Sequence, residues 1–105
     1  MIDFINKTEI IKKYNRLLNK TRIHCLKLLA DENINGCIAE IKDCTGKIDD
    51  EYKNHRPAEK WLLDSILNEI GIKTRLTIIY HILQDANRDD TPNMEALKYI
   101  IHLGT

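Results

Sequence analysis

The side chains able to hold a metal ion or attack a bond are His24, Cys25, Cys37, Cys44, His55, His81 and His102. A zinc site draws on cysteine or histidine pairs about two to five residues apart, and no such pair occurs. His24 and Cys25 are adjacent and project about 100° apart on a helix, a poor geometry for one ion. Buried free cysteines behave as small apolar residues. An odd number of cysteines in helical segments reads as free thiols in a reducing cytoplasm. No metal and no cofactor is expected.

The charged residues offer surfaces rather than chemistry. Lys13, Arg16, Lys20 and Lys27 follow one another at steps of 3, 4 and 7, so they share the outer side of a helix, with Lys12 close by. That stripe reads as a docking face for an acidic partner or a phosphate backbone, or as an ordinary solvated face. Asp49-Asp50-Glu51 and Asp85 with Asp89-Asp90 are acidic segments that could meet a basic partner. No glycine-rich phosphate loop, nucleophile elbow or carboxylate pair is present.

Trp61 is the only tryptophan. Its helical neighbours are Asp64, Ser65 and Asn68, while Leu62, Leu63, Ile66, Leu67 and Ile70 face the other way. A tryptophan on the polar side of a helix is the residue type that dominates binding hot spots. The expected partner-binding set is therefore Trp61, Asp64 and Asn68, with the acidic edge Asp49, Asp50 and Glu51.

Arg75 precedes His81 by six positions. This spacing resembles the Arg…His pair of the HEPN ribonucleases, small helical domains that cleave RNA, often as dimers. The resemblance implies a catalytic role for Arg75 and His81. It covers seven residues, and Leu76 stands where the family usually has a polar residue. On a continuous helix the two side chains would project about 120° apart.

These residues need helices to position them. The longest helical pattern runs from Phe4 to about Glu32, with Asp3 as N-cap. Ile10, Ile11, Tyr14, Leu17, Leu18, Thr21, Cys25, Leu28 and Leu29 lie on one arc of it. From Ile23 to Ala30 the pattern is apolar nearly all round, so this distal end is expected to be covered on two sides. Leu28 should then be better enclosed than Leu17. Asn33-Ile34-Asn35-Gly36 reads as a turn.

The second helix, from about Gly36 to Lys53, carries the stripe Ile34, Ile38, Ile41, Thr45, Ile48 and Tyr52, with Cys37 and Cys44 on its flank. Arg56-Pro57 separates it from a third helix that starts near Pro57 and stops at Gly71. Gly71 suits a Schellman cap with Leu67 and Ile72 in contact. Thr74 can cap a fourth helix over Arg75 to Asn87, with a wide apolar arc. Thr91-Pro92 opens a fifth that runs to Leu103 and ends at Gly104. No segment alternates with period two for long enough to form a strand. The expected fold is an all-α, single-domain helical bundle over residues 1–105.

Composition bounds the function. The chain has 105 residues, 43% hydrophobic and 30% charged, enough for one core. Sixteen basic residues balance sixteen acidic ones, which argues against a general nucleic-acid or membrane-surface binder. No apolar stretch approaches the roughly 20 residues of a membrane span. Met-Ile-Asp-Phe-Ile-Asn-Lys has no signal-peptide pattern. Abundant Ile, Lys and Asn suggest an AT-rich bacterial or phage genome.

The expectation is a cytoplasmic protein-binding protein, not an enzyme: an inhibitor of the immunity-protein or antitoxin type that occludes a basic toxin or enzyme. The other readings are a ribonuclease of the HEPN type and an adaptor subunit that assembles through helix packing, with a homodimer as one form.

Overall fold

A computed structural model describes residues 7–55, 57–89 and 94–103. The expected features at Asp3, Phe4, Arg56, Thr91-Pro92 and Gly104 lie outside the described residues. The described residues form an all-α bundle of five helices: α1 Lys7–Ala30, α2 Ile34–Lys53, α3 Pro57–Ile70, α4 Ile72–Asp89 and α5 Met94–Ile100. No strand occurs among the described residues.

α1 and α2 form an antiparallel hairpin. The Asn33 N–H donates to the Leu28 carbonyl at 2.8 Å, and the Glu32 N–H to the Leu29 carbonyl at 3.0 Å. These are the two bonds of a Schellman motif. The residue it needs in the left-handed region is Glu32, at φ 57°, a position that usually holds glycine because a Cβ is strained there. Asn33 then caps α2, its side-chain oxygen accepting from the Gly36 N–H at 2.9 Å. A Cβ on Gly36 would lie 2.7 Å from the Asn33 amide nitrogen, so a larger residue there would have to displace the capping side chain. Ile34 to Gly36 are the first turn of α2, not a loop. Glu32→Gly should raise stability by about 0.5–1 kcal/mol by removing the strain. A higher denaturation midpoint at unchanged slope is the expected reading, and a lower one would contradict it.

α4 lies antiparallel along α2. Lys73 meets Asp49 at 3.2 Å at one end, and Asn87 donates to Asn35 at 3.2 Å at the other. α3 packs on α4 and is tied to the start of α1 by Lys7–Glu69, 2.8 Å. α5 returns against α4 and α1. Because α3 and α5 serve different parts of the three long helices, the molecule is a rod of 55 × 20 × 19 Å.

The α3–α4 corner turns at Gly71, φ 68°. Its N–H bonds the Leu67 and Asn68 carbonyls at 2.9 and 3.2 Å, the simpler αL form of the cap rather than the Schellman pattern. The Gly71 carbonyl already accepts from the Arg75 N–H at 3.1 Å. α4 therefore starts at Ile72, and Thr74 sits inside its first turn instead of capping it.

The core runs along α1 as Tyr14, Leu18, Thr21 and Cys25, along α2 as Cys37, Ile41, Cys44 and Ile48, and along α4 as Ile72, Leu76, Ile79 and Leu83. Cys37 and Cys44 are thus on the buried centre line of α2, and Ile34, Ile38 and Thr45 are on its half-buried flank. Packing between α1 and α4 turns the seam toward the cysteines. The distal end of α1 also differs from expectation. Ile23 is 48% exposed, Ala30 is exposed, and Leu26, Leu28 and Leu29 are half-buried. Among the described residues α5 spans seven, and no described helix lies over the far side of α1. The enclosed part of α1 is its middle.

Candidate functional site

α3 turns Leu63, Ile66 and Leu67 inward. Steps of about 100° per residue then carry Trp61, Asp64 and Asn68 to the opposite face. All three are exposed, Trp61 at 68%. The end of α2 builds the rest of this patch. The Tyr52 hydroxyl donates to the Asp64 carboxylate at 3.1 Å, which holds the Tyr52 phenol above its ordinary value of 10.0. The ammonium groups of Lys60 and Lys73 lie 5.5 and 5.6 Å from the Tyr52 ring centroid, within cation–π range. Lys73 also pairs with Asp49. The patch is therefore Trp61, Asp64, Tyr52, Lys60, Lys73 and Asp49, two aromatic side chains in mixed charge.

The acidic edge does not form as a single surface. Asp49, Asp50 and Glu51 are consecutive on a helix, so they point in three directions. Asp49 faces α4. Glu51 is half-buried and faces α1, where it holds Lys13 by an ion pair and lies 3.4 Å from His55 Nε2. Only Asp50 of the three is exposed, beside Lys47 and Asn54 in a cleft toward α1. The hydrogen bond from Lys13, with a smaller contribution from His55, holds the Glu51 carboxyl below its ordinary 4.5. A depressed carboxyl contributes stability that is present above its unfolded-chain pKa and is lost as pH falls through the lower folded one.

The remaining reactive groups are arranged for structure. His55 Nδ1 is 2.9 Å from Glu59, one turn on. A cleft of about 380 Å³ between α1, the end of α2 and α3 is lined in part by Tyr14, Arg16, Glu51 and His55. Tyr14 is buried and its hydroxyl has no hydrogen-bond partner among the described residues; burial, then the Glu51 charge, raises its phenol pKa. The Arg75 guanidinium donates to the Ile70 carbonyl at 2.8 Å and so closes the end of α3. His81 is exposed, with its ring edge-on to Tyr80. Six residues, fewer than two turns of helix, thus separate a capping arginine from a surface histidine.

Cys25, Cys37 and Cys44 are free thiols on the buried α1–α2 seam. The hydrogen bond with Cys37, then burial, drives the Cys25 thiol pKa strongly upward. Among the described residues no group of three or more His, Cys, Asp or Glu side chains could hold a metal ion. No helix among them is long and apolar enough to cross a membrane.

The sequence placed Trp61, Asp64 and Asn68 on one face. It missed Tyr52, Lys60 and Lys73, because Tyr52 continues the apolar stripe of α2 and reads as core. Compared with protein-family models, curated proteins and solved structures, the chain matches none of them.

Proposed function

We propose that the protein acts by binding another protein through the outer face of α3 and the adjoining end of α2. The kind of action is that of a small inhibitor, an immunity protein or antitoxin, that occludes its partner. The exposure of Trp61 carries this reading. An indole left in water is a large apolar area that the fold does not use, and such residues dominate the energetics of complexes. The mixed charge of the surrounding side chains fits the polar rim of an interface. It gives less support to a strongly basic partner than an unpaired acidic edge would.

Trp61→Ala should weaken the complex with the product of the adjoining gene, isolated by co-purification, by about tenfold or more. Folding stability should change by less than about 1 kcal/mol, since the side chain is exposed. Tryptophan emission of the free protein should be red-shifted and readily quenched by acrylamide, then blue-shifted in the complex. Protected, blue emission in the free chain, or loss of folding in Trp61→Ala without loss of residual binding, would return this residue to the core.

A further inference from the structure

We propose that the outer face of α1, formed by Lys12, Arg16, Lys20, Ile23 and Lys27, docks an acidic segment of a partner protein that brings an apolar side chain to Ile23. This surface is separate from the Trp61 patch and does not depend on it. Its residues follow at steps of 4, 4, 3 and 4, opposite the buried line Tyr14, Leu18, Thr21 and Cys25. All five are exposed. Lys12 to Lys27 spans about 22 Å of helix axis.

Two features set this face apart from an ordinary solvated one. Its charge is one-sided. α1 carries seven basic side chains and one acidic one in a chain whose totals cancel. Lys13 is paired with Glu51, but Lys12, Arg16, Lys20 and Lys27 make no ion pair or hydrogen bond among the described residues. Lys12–Arg16 and Arg16–Lys20 are like-charge pairs one turn apart, which destabilise a helix. The second feature is Ile23, 48% exposed between Lys20 and Lys27. Repulsion costs the isolated fold, the half-exposed Ile23 leaves apolar area uncovered, and among the described residues these cations have no acidic partner. An acidic protein segment with one apolar residue offsets both.

The other occupants fit less well. A two-fold pairing of this face with a second copy would set cations against cations. A nucleic-acid strand is held by basic grooves with aromatic stacking platforms, and no aromatic residue lies on this face. An anionic membrane would need more apolar area than one isoleucine offers.

The probe is a fluorescein-labelled helical peptide of about five turns, with glutamates at helical spacing and one central leucine, followed by anisotropy. The wild-type protein should bind it, and more weakly as salt rises from about 50 to about 200 mM. Reversing both Lys12→Glu and Lys20→Glu should weaken binding by about tenfold or more, and Ile23→Ser by about threefold or more. Circular dichroism should show both variants fully helical, because the like-charge steps are relieved and the other positions are exposed. Three results would overturn the proposal: no binding of the peptide by the wild type, tighter binding of duplex DNA or phosphatidylserine vesicles than of the peptide, or an Ile23→Ser variant that binds unchanged.

Discussion

Leu18→Ala is expected to remove about 3–4 kcal/mol of stability, the largest loss for any leucine truncation in α1. Leu18 is fully buried in the middle of the helix, within the cluster that includes Ile41, Ile48, Leu76 and Ile79. The loss has two parts: the transfer free energy of the deleted atoms, and the cavity left where neighbours relax only partly. Three long helices meet around this level of the rod, so few side chains can move inward to refill the space. Against a total of about 5–15 kcal/mol this is a large fraction, and the thermal midpoint should fall by more than about 10 °C. Leu28→Ala should cost about half as much, because Leu28 is half-buried and part of its surface already meets water. Urea denaturation of the two variants gives the comparison. Equal losses, or a larger one at Leu28, would place the best-enclosed part of α1 at its distal end after all.

The second expected result concerns the thiols. In the native protein Cys25, Cys37 and Cys44 should react with iodoacetamide at least about a thousandfold more slowly than in denaturant, because reaction must wait for opening of the α1–α2 seam. Their side chains are at most 1% exposed. Only the thiolate reacts; burial raises the Cys44 pKa, partly offset by a hydrogen bond with Thr21, whereas the hydrogen bond with Cys25 lowers the Cys37 pKa, so Cys37 is protected by burial alone. Cys25 is raised further by its hydrogen bond with Cys37. Mass spectrometry after pulse labelling should show unmodified native protein and three labels after unfolding. Rapid labelling of any one thiol under native conditions would mean that its helix frays. A mass two units lower, in freshly isolated protein, would reveal a bridge and a less reducing source than the one expected.

The all-α fold follows from features that are local in the chain. Apolar residues at helical spacing, a proline at the start of α3 and a glycine at the end of it specify helices and breaks within a few residues of themselves. Trp61 could be placed on the polar side of α3 for the same reason: its orientation depends on a rotation per residue, not on any neighbour. Which side of a helix another helix covers is a different matter. The pattern from Ile23 to Ala30 is apolar on both sides, and covering the second side needed a helix that α5 is too short to supply. Cys37 and Cys44 entered the centre of the core because α2 lies between α1 and α4, a choice no residue of α2 makes alone. The acidic run Asp49-Asp50-Glu51 is continuous in sequence and dispersed in space, since each carboxylate met a different partner: Lys73 on α4, solvent, and Lys13 on α1. Periodicity within one helix is set by backbone geometry and is readable from residues alone. Contacts between helices depend on lengths and packing angles of the whole bundle, and these emerged only when the chain was assembled.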